Sequence, residues 1–434
     1  MSRQSVWREG IETPAFPALQ GDVRTDVLII GGGIAGILTA YFLKQKGVSC
    51  LLVEKDAICS GTTQNTTAKI TFGHGLLYDK LIRSRGTETA RMYLEANRKA
   101  FDAYSDLCKR VDCDYERKDN YIYSRDNRRA LEAEMKALEK IGYRAELRDK
   151  LPLLFETAGA VCYPEQAQFH PLKFLFALAR ELPICEHTPV REMEGCTAVT
   201  DKGRIYAKKV VVATHFPFIN KHGAYFLKLY QHRSYMLALE NAANVDGMYM
   251  DEQKTGLTFR NYGPYLLVGG GAHRTGKRSD GWAAVRRFAA ANYPRAGEKY
   301  FWAAQDCMSL DGMPYIGRYS SGSDELYVAS GFCKWGMTGA MVAAELLCDR
   351  LTGVRNEYAG AFEPSGRLFT PQLAVNGFEA ATNLLTFTRK RCPHLGCALK
   401  WNSAEHSWDC PCHGSRFSEE GTVLDNPANG DLKS

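Results

Sequence analysis

The sequence predicts an α/β chain, α+β overall, in which a discontinuous parallel-sheet domain is interleaved with a more β-rich body. Three observations predict it. A glycine-rich loop joins a buried strand to a helix near the N-terminus. Buried apolar strands return at 206–215 and 325–330, and the stretch 226–268 between them changes to strands with one exposed face.

The totals set bounds. The chain has 434 residues, room for two or three domains with a well-buried core. Hydrophobic content of 45% and charged content of 24% describe an ordinary soluble globular protein. The net charge of +6 is spread thinly, which argues against a nucleic-acid partner. The charged opening MSRQSVWREG is followed by no apolar run of the secretory kind. Val27 to Leu43 is broken by glycines and makes a poor membrane span. These features predict a cytoplasmic protein with no membrane span.

Residues 1–24 carry prolines and read as an arm on the surface. TDVLII is a short buried strand, ILTAYFLKQKG a helix ending at Gly47, and SCLLVEK a second buried strand. Residues 84–110 and 126–141 have helical apolar spacing. YAKKVVVATH (206–215) is a buried strand; LKLYQHRSYMLALE, GLTFRN and YLLVGG are strands of the half-exposed sheet. ELYVAS (325–330) is buried again, and GFCKWGMTGAMVAAELLCDRL is a loop feeding a helix.

The loop GGGIAG fits G-x-G-x-x-G with Gly31, Gly33 and Gly36. The first glycine permits the tight turn, the second lets backbone approach a pyrophosphate, and the third lets helix pack on strand. Ile34 and Ala35 begin the helix, whose free N–H groups and positive dipole end suit phosphates. Glu54 closes the second strand, where an acid binds ribose hydroxyls. These parts predict a dinucleotide site but leave FAD and NAD open.

Of fourteen cysteines, ten are scattered and read as small buried hydrophobes. The other four cluster near the C-terminus as Cys392-x-His394, fifteen residues, then Cys410-x-x-His413, with Cys397 and Cys412 one in each loop. Two thiolates and two imidazoles suit tetrahedral zinc. They equally suit a [2Fe–2S] cluster with two cysteines on one iron and two histidines on the other. Ligand count leaves both open.

From Thr25 to about Arg367 the chain resembles the D-amino-acid oxidase/glycine oxidase/sarcosine oxidase family of FAD-dependent oxidoreductases. DVLIIGGGIAG, the Ser60–Asn65 loop, VVVAT, DGMPYIGR and ASGFCKWGMTGA carry the likeness. The resemblance implies a Rossmann-like FAD-binding domain with an inserted β-rich substrate domain. It implies that Thr62, Thr63, Asn65 and Thr67 run beside the flavin, and that the backbone of Val190 meets the adenine. It implies that Gly336, Met337 and Thr338 open a helix aimed at the flavin pyrimidine, its dipole favouring negative charge on the reduced ring. Cys307 occupies the place of the flavin-linked cysteine of sarcosine oxidases, so a covalent link and a plain buried thiol both stand. On the strand matching the one that bears their oxygen-activating lysine, Tyr265–Val268, there is no lysine.

The last segment resembles the Rieske family through Leu395-Gly396, Gly414-Ser415 and the proline loop 421–428. That likeness implies a [2Fe–2S] cluster on Cys392, His394, Cys410 and His413, with a disulfide between Cys397 and Cys412. The strand-rich base that precedes the first loop in full Rieske domains is missing, so a minimal module is expected to pack directly on the flavoprotein. Phe417 stands where many relatives have a tyrosine that donates to a cysteine sulfur; Ser415 can still donate.

The organisation predicted is a flavoprotein over 1–370, a linker or helix over 371–388 and the Rieske module over 389–434. Within the first, 25–80, 150–220 and 305–365 form the FAD-binding part, and 81–149 and 221–304 the substrate part. The function expected is oxidation of a C–N bond of an amino acid or amine, with electrons passing from FAD to the cluster and on to a one-electron acceptor, a quinone or redox protein. A dehydrogenase is expected over an oxidase, since an oxidase has no use for a relay. The alternative is an electron-transfer or redox-sensing protein with no small amine substrate. A substrate carboxylate wants a bidentate arginine, which makes Arg233, Arg260, His273 and Arg274 candidates against structural roles, with Tyr235 and Tyr262 as walls. His74 reads as a flavin neighbour or a satisfied core histidine.

Overall fold

The computed structural model describes residues 2–219, 222–253, 256–365 and 370–432; the expected end of the flavoprotein near Arg367 lies outside them. One sheet carries, in spatial order, Tyr315–Arg318, Leu326–Ser330, Gly203–Val212, Val23–Ile30, Cys50–Val53 and Ile184–Cys185. All neighbours along it are parallel except the Tyr315–Arg318 edge. A strand covered on both faces must be apolar throughout, and Val27–Ile30 and Val210–Val212 are buried residue after residue. The helices Ile34–Gln45 and Gly336–Leu351 pack against each other on this sheet, and both point their N-termini at its carboxyl edge.

The second sheet runs Gly297–Ser309, Leu229–Glu240, Tyr265–Arg274, Thr258–Tyr262, Met248–Asp251, Glu116–Ser124, Gly159–Gln168, Lys69–Ile70. It corrects the boundaries drawn from sequence. Lys69–Ile70 and Gly159–Gln168 fall in stretches assigned to the FAD-binding part, yet both pair here, as with Tyr121 opposite Cys162. The divide at 304/305 cuts the Gly297–Ser309 strand. A short apolar run states that a strand is buried, not which sheet it joins.

Two further expectations change. Residues 84–110 are not one helix: Gly86, at φ +85°, separates Tyr78–Arg85 from Thr87–Cys108. The N-terminal arm is not wholly on the surface: most of it is exposed, but Ser5–Trp7 and Leu19 are buried. Trp7 is fully buried, donates from Nε1 to the Thr66 carbonyl at 2.8 Å, and packs edge-on against Tyr262.

The chain ends in the helix Pro371–Leu385 and a small antiparallel sheet of Lys400–Asn402, Ser407–Asp409, Arg416–Phe417 and Val423–Asp425. Its core is Cys392, Cys397, Leu399, Cys410, Cys412, Phe417 and Ala428. A helix thus stands where a strand-rich base would precede the first cysteine loop. Among the described residues no helix is long and apolar enough to cross a membrane.

Candidate active site

The glycine loop is built as its pattern requires. Gly31 sits at φ +115°, where a Cβ would lie 2.5 Å from the Ala213 carbonyl oxygen. A Cβ on Gly36 would collide with the carbonyl of Gly31. Thr63 Oγ1 accepts from the Ile34 amide at 3.1 Å and so fixes the start of the helix. Glu54 accepts from the amides of Gly32 (2.7 Å) and Asp56 (3.0 Å). Burial raises its pKa, and these bonds oppose the rise.

A cavity of about 1010 Å³ opens at this loop. Gly31, Gly33, Ile34, Ala35, Glu54, Thr62, Thr63, Asn65, Thr67, Val190, Cys307, Gly336 and Met337 all line it. Backbone left bare by glycine, an acid beside it, and a second helix whose N-terminus has no side-chain cap together fit a dinucleotide with a ring at the far end. Gly36 and Thr338 do not line the cavity. Gly36 lies under the loop; Thr338 Oγ1 bonds the Thr71 carbonyl and His74 Nε2, both at 3.1 Å. His74 is a satisfied core histidine: Nδ1 meets the Tyr93 hydroxyl at 2.7 Å, the ring stacks on Trp335, and burial lowers its pKa to about 3. Cys307 is buried beside Ser330, and burial pushes its thiol up to about 12.

The candidate substrate cations are otherwise engaged. Arg233 lines the cavity, but its Nε donates to Glu405 Oε1 at 2.8 Å and its Nη2 to Oε2, so the carboxylate it was expected to await is supplied by the C-terminal module. Arg260 is wholly buried behind the cavity and donates to the carbonyls of Thr67 (3.0 Å) and Ala68 (2.8 Å), with its guanidinium over Trp7. His273 stacks on Tyr235 outside the cavity. Tyr262 bonds Asp114. Arg274 holds the second cysteine loop, donating to the carbonyls of Pro411 and Cys412, both at 3.0 Å.

A lysine the sequence reading passed over does reach the cavity. Lys69 donates to the Tyr249 carbonyl at 2.8 Å and to Thr258 Oγ1, and burial holds its pKa well below the ordinary lysine value. A charge inside the apolar run AKITF was the available signal.

The two cysteine loops are near copies. Cys392 N donates to the Cys397 carbonyl and Gly396 N to that of Cys392; Cys410 N donates to the Ser415 carbonyl and Gly414 N to that of Cys410. Cys397 and Cys412 form a disulfide across the pair. The buried thiols of Cys392 and Cys410 interact, which lowers the pKa of Cys392 and raises that of Cys410. Ser415, whose Oγ accepts from the Ala428 amide at 3.0 Å, adds to the lowering at Cys392. The His394 and His413 rings stand 4.9 Å apart, and burial lowers their pKa values to about 4 and about 3. Nδ1 of His413 is buried without a hydrogen-bond partner among the described residues. Two cysteines and two buried imidazoles, with Nδ1 of His413 unpartnered, fit a [2Fe–2S] group on Cys392, His394, Cys410 and His413.

The module and the flavoprotein meet along a polar seam. Gln231 Nε2 donates to the carbonyls of His413 (2.8 Å) and Asn426 (2.9 Å), and its Oε1 meets His215 Nε2 at 3.1 Å. Gln305 Nε2 donates to the Gly414 carbonyl at 2.9 Å, while its own carbonyl accepts from Thr62 Oγ1 at 3.0 Å. Buried Glu405 is shared by Arg233 and Arg416. Burial alone would raise its pKa, but the two arginines hold it at about 2. Residues 422–426 and 428–431 of the module line the same cavity as the glycine loop.

These features define a two-site redox protein: a dinucleotide cavity walled in part by an iron–sulfur module. The chain belongs to the FAD dependent oxidoreductase family, whose model matches residues 26–350, and it carries a Rieske [2Fe-2S] domain over residues 373–434. It is 34% identical to the Rieske 2Fe-2S iron-sulfur protein YhfW of Bacillus subtilis, over 99% of this chain and 97% of that one. It is 24% identical to gamma-glutamylputrescine oxidoreductase of Escherichia coli, over 78% of this chain and 86% of that one. Similar solved folds are glycine oxidase from Geobacillus kaustophilus (TM-score 0.67, 19% identity, 80% of this chain and 100% of that one) and L-proline dehydrogenase from P. horikoshii (0.67, 16%, 80% and 98%). FAD and one Rieske cluster are its cofactors.

Proposed function

We propose that the chain oxidises a C–N bond of an amino acid or amine and passes the electrons singly, through its Rieske module, to an external acceptor. The observation that carries this reading is Gln305. Its main chain bonds the threonine loop of the flavin cavity and its side chain bonds the second cluster loop, so one residue spans both sites. The relatives that act on amino acids or amines support the substrate class.

Bound FAD supplies two-electron redox chemistry, and the cluster takes electrons one at a time. The substrate gives up two electrons and two protons and becomes an imine, which water hydrolyses. The chain's own residues position and shield. The glycine loop and Glu54 would hold the adenosine diphosphate end, and Thr62, Thr63, Asn65 and Thr67 the ring end. The uncapped N-terminus at Gly336 favours negative charge at that end. Lys69 lines the cavity together with Thr258 and Met236.

Anaerobic titration with a panel of amines and amino acids tests the reading. The flavin absorbance should bleach first and the cluster signal change second, and a one-electron dye or quinone should reoxidise the protein faster than air. A panel that bleaches nothing would leave the electron-transfer protein without a small substrate as the better account. Fast peroxide production, unchanged by Cys410→Ala, would make the protein an oxidase.

A further inference from the structure

The helix Pro371–Leu385 is inverted relative to a surface helix. Such a helix buries apolar residues and exposes polar ones. This one buries Asn376 and Asn383, seven residues apart on its inner face. Asn376 donates to the Leu227 carbonyl at 3.1 Å and accepts from Arg274; the Asn383 carbonyl accepts from the Ala398 amide. Its outer face carries Val375, Phe378 and Leu385, with Phe387 just beyond. Phe378 is 72% exposed, Leu385 86% and Phe387 100%. Contiguous exposed apolar residues of this size mark a contact surface.

The charge on the strip narrows the occupant. From 371 to 391 the sole acid is Glu379, turned inward on Lys277 at 2.5 Å. Arg389, Lys390 and Arg391 follow the helix and are exposed. A fifteen-residue helix is about 22 Å long, too short to cross a bilayer. An apolar strip with aromatic tips and cations at one end is the chemistry of a helix lying in the headgroup zone, apolar side chains down and cations on phosphates.

We infer that this face docks the protein on the surface of an anionic bilayer. Arg391 ties the end of the helix to the first cluster loop, donating to the carbonyls of Leu384 (3.2 Å) and Gly396 (2.7 Å). Docking therefore brings the exposed Pro393 and Leu395, which flank the ligand His394, to the lipid boundary. On the electron-relay reading above, the acceptor is then a quinone dissolved in the membrane; the docking itself does not depend on that reading.

The test uses the full holoprotein and vesicles of phosphatidylcholine with and without phosphatidylglycerol, read by co-sedimentation without substrate. The protein should pellet with the phosphatidylglycerol vesicles and do so less at high salt. Combining Phe378→Ser, Leu385→Ser and Phe387→Ser should lower partitioning by at least about tenfold, with the flavin and cluster spectra unchanged. Arg389→Gln and Lys390→Gln should each lower it by roughly fivefold, on the phosphatidylglycerol vesicles alone. Three results would overturn the inference: no sedimentation with either vesicle, sedimentation indifferent to the triple variant, or a vesicle-free dimer that the triple variant makes monomeric, which would assign the face to a second copy. Amine oxidation can fail while docking holds, and the reverse, so the two readings are separable.

Discussion

The loop at 31–36 and the paired loops at 392–397 and 410–415 both hold groups that polypeptide does not make, with opposite materials. The first uses backbone. Its side chains are absent or incidental, and what matters is the φ of Gly31 and the missing Cβ of Gly36. The second uses side chains: two thiols, two neutral imidazoles and a disulfide that ties the loops. A site made of main chain tolerates changes of chemistry but not of shape; a site made of ligands tolerates the reverse. The seam between them obeys both rules, with glutamines on carbonyls and a buried carboxylate shared by two arginines.

The largest effect tests the ligand side of this contrast. His413→Ala should take iron and acid-labile sulfide from about two each per chain to none, with loss of the Rieske EPR signal. FAD should remain bound but more weakly, because the module supplies one wall of its cavity. Unchanged FAD affinity would show that the shared wall contributes nothing and that the sites are independent.

Next comes the seam. Glu405→Gln removes one of the carboxylates shared by Arg233 and Arg416, with Asp425 and Asp409 left to pair them; the loss, about 1–3 kcal/mol, should appear as a lower melting temperature with the cluster still ligated. The same carboxylate sets a pH window. Its folded pKa lies near 2, below its ordinary value of 4.5. Its contribution, roughly 3 kcal/mol, is therefore full above about pH 4.5 and lost as pH falls towards 2. The variant should lack that acid-side slope, and a variant with the wild-type slope would put the acid sensitivity elsewhere.

A matched pair of glycine variants is a finer probe. Gly31→Ala and Gly414→Ala both force a side chain into positive φ against a close neighbour: the Ala213 carbonyl in one, the Gln231 side chain at 2.6 Å in the other. Each should cost about 1–3 kcal/mol. The first should cut FAD occupancy with the cluster intact, and the second should slow cluster reduction with the FAD content little changed. Identical phenotypes would mean that the two loops are not separately built.

The smallest expected effect is at Cys307. Its thiol is protonated and buried beside Ser330, which disfavours attack on a ring. Acid precipitation should release all yellow colour to the supernatant, from wild type and Cys307→Ser alike. Colour left in the wild-type pellet would establish the covalent link.

Much of this was legible in sequence because it is local. The glycine loop lies between consecutive elements, and each cluster ligand pair lies within four residues. The threonine loop and the helix at Gly336 were placed through the family resemblance; Thr62, Thr63, Asn65, Thr67, Gly336 and Met337 line the cavity, and Thr338 does not. What was not legible depends on distant partners. Arg233 and Glu405 are 172 residues apart, and nothing near either announces the other. Trp7 is buried by residues brought from 66 and 262. The strand Gly159–Gln168 joins the second sheet only because Glu116–Ser124 is there to receive it. Gln231 and Gln305 look like ordinary strand residues until the module they bond is in place.

The bridge between Cys397 and Cys412 has one more consequence. Both sulfurs are shut from water, at 1% and 2% exposure, and exchange requires a thiolate to approach the bond directly. A reductant in solution can reach it only when the surroundings that bury the bridged loops open. The second of those loops is held by Arg274 and Gln305, side chains of the flavoprotein. The lifetime of the bridge under reducing conditions is thus governed by how often the module lifts from its seat, a kinetic protection supplied by a neighbouring domain.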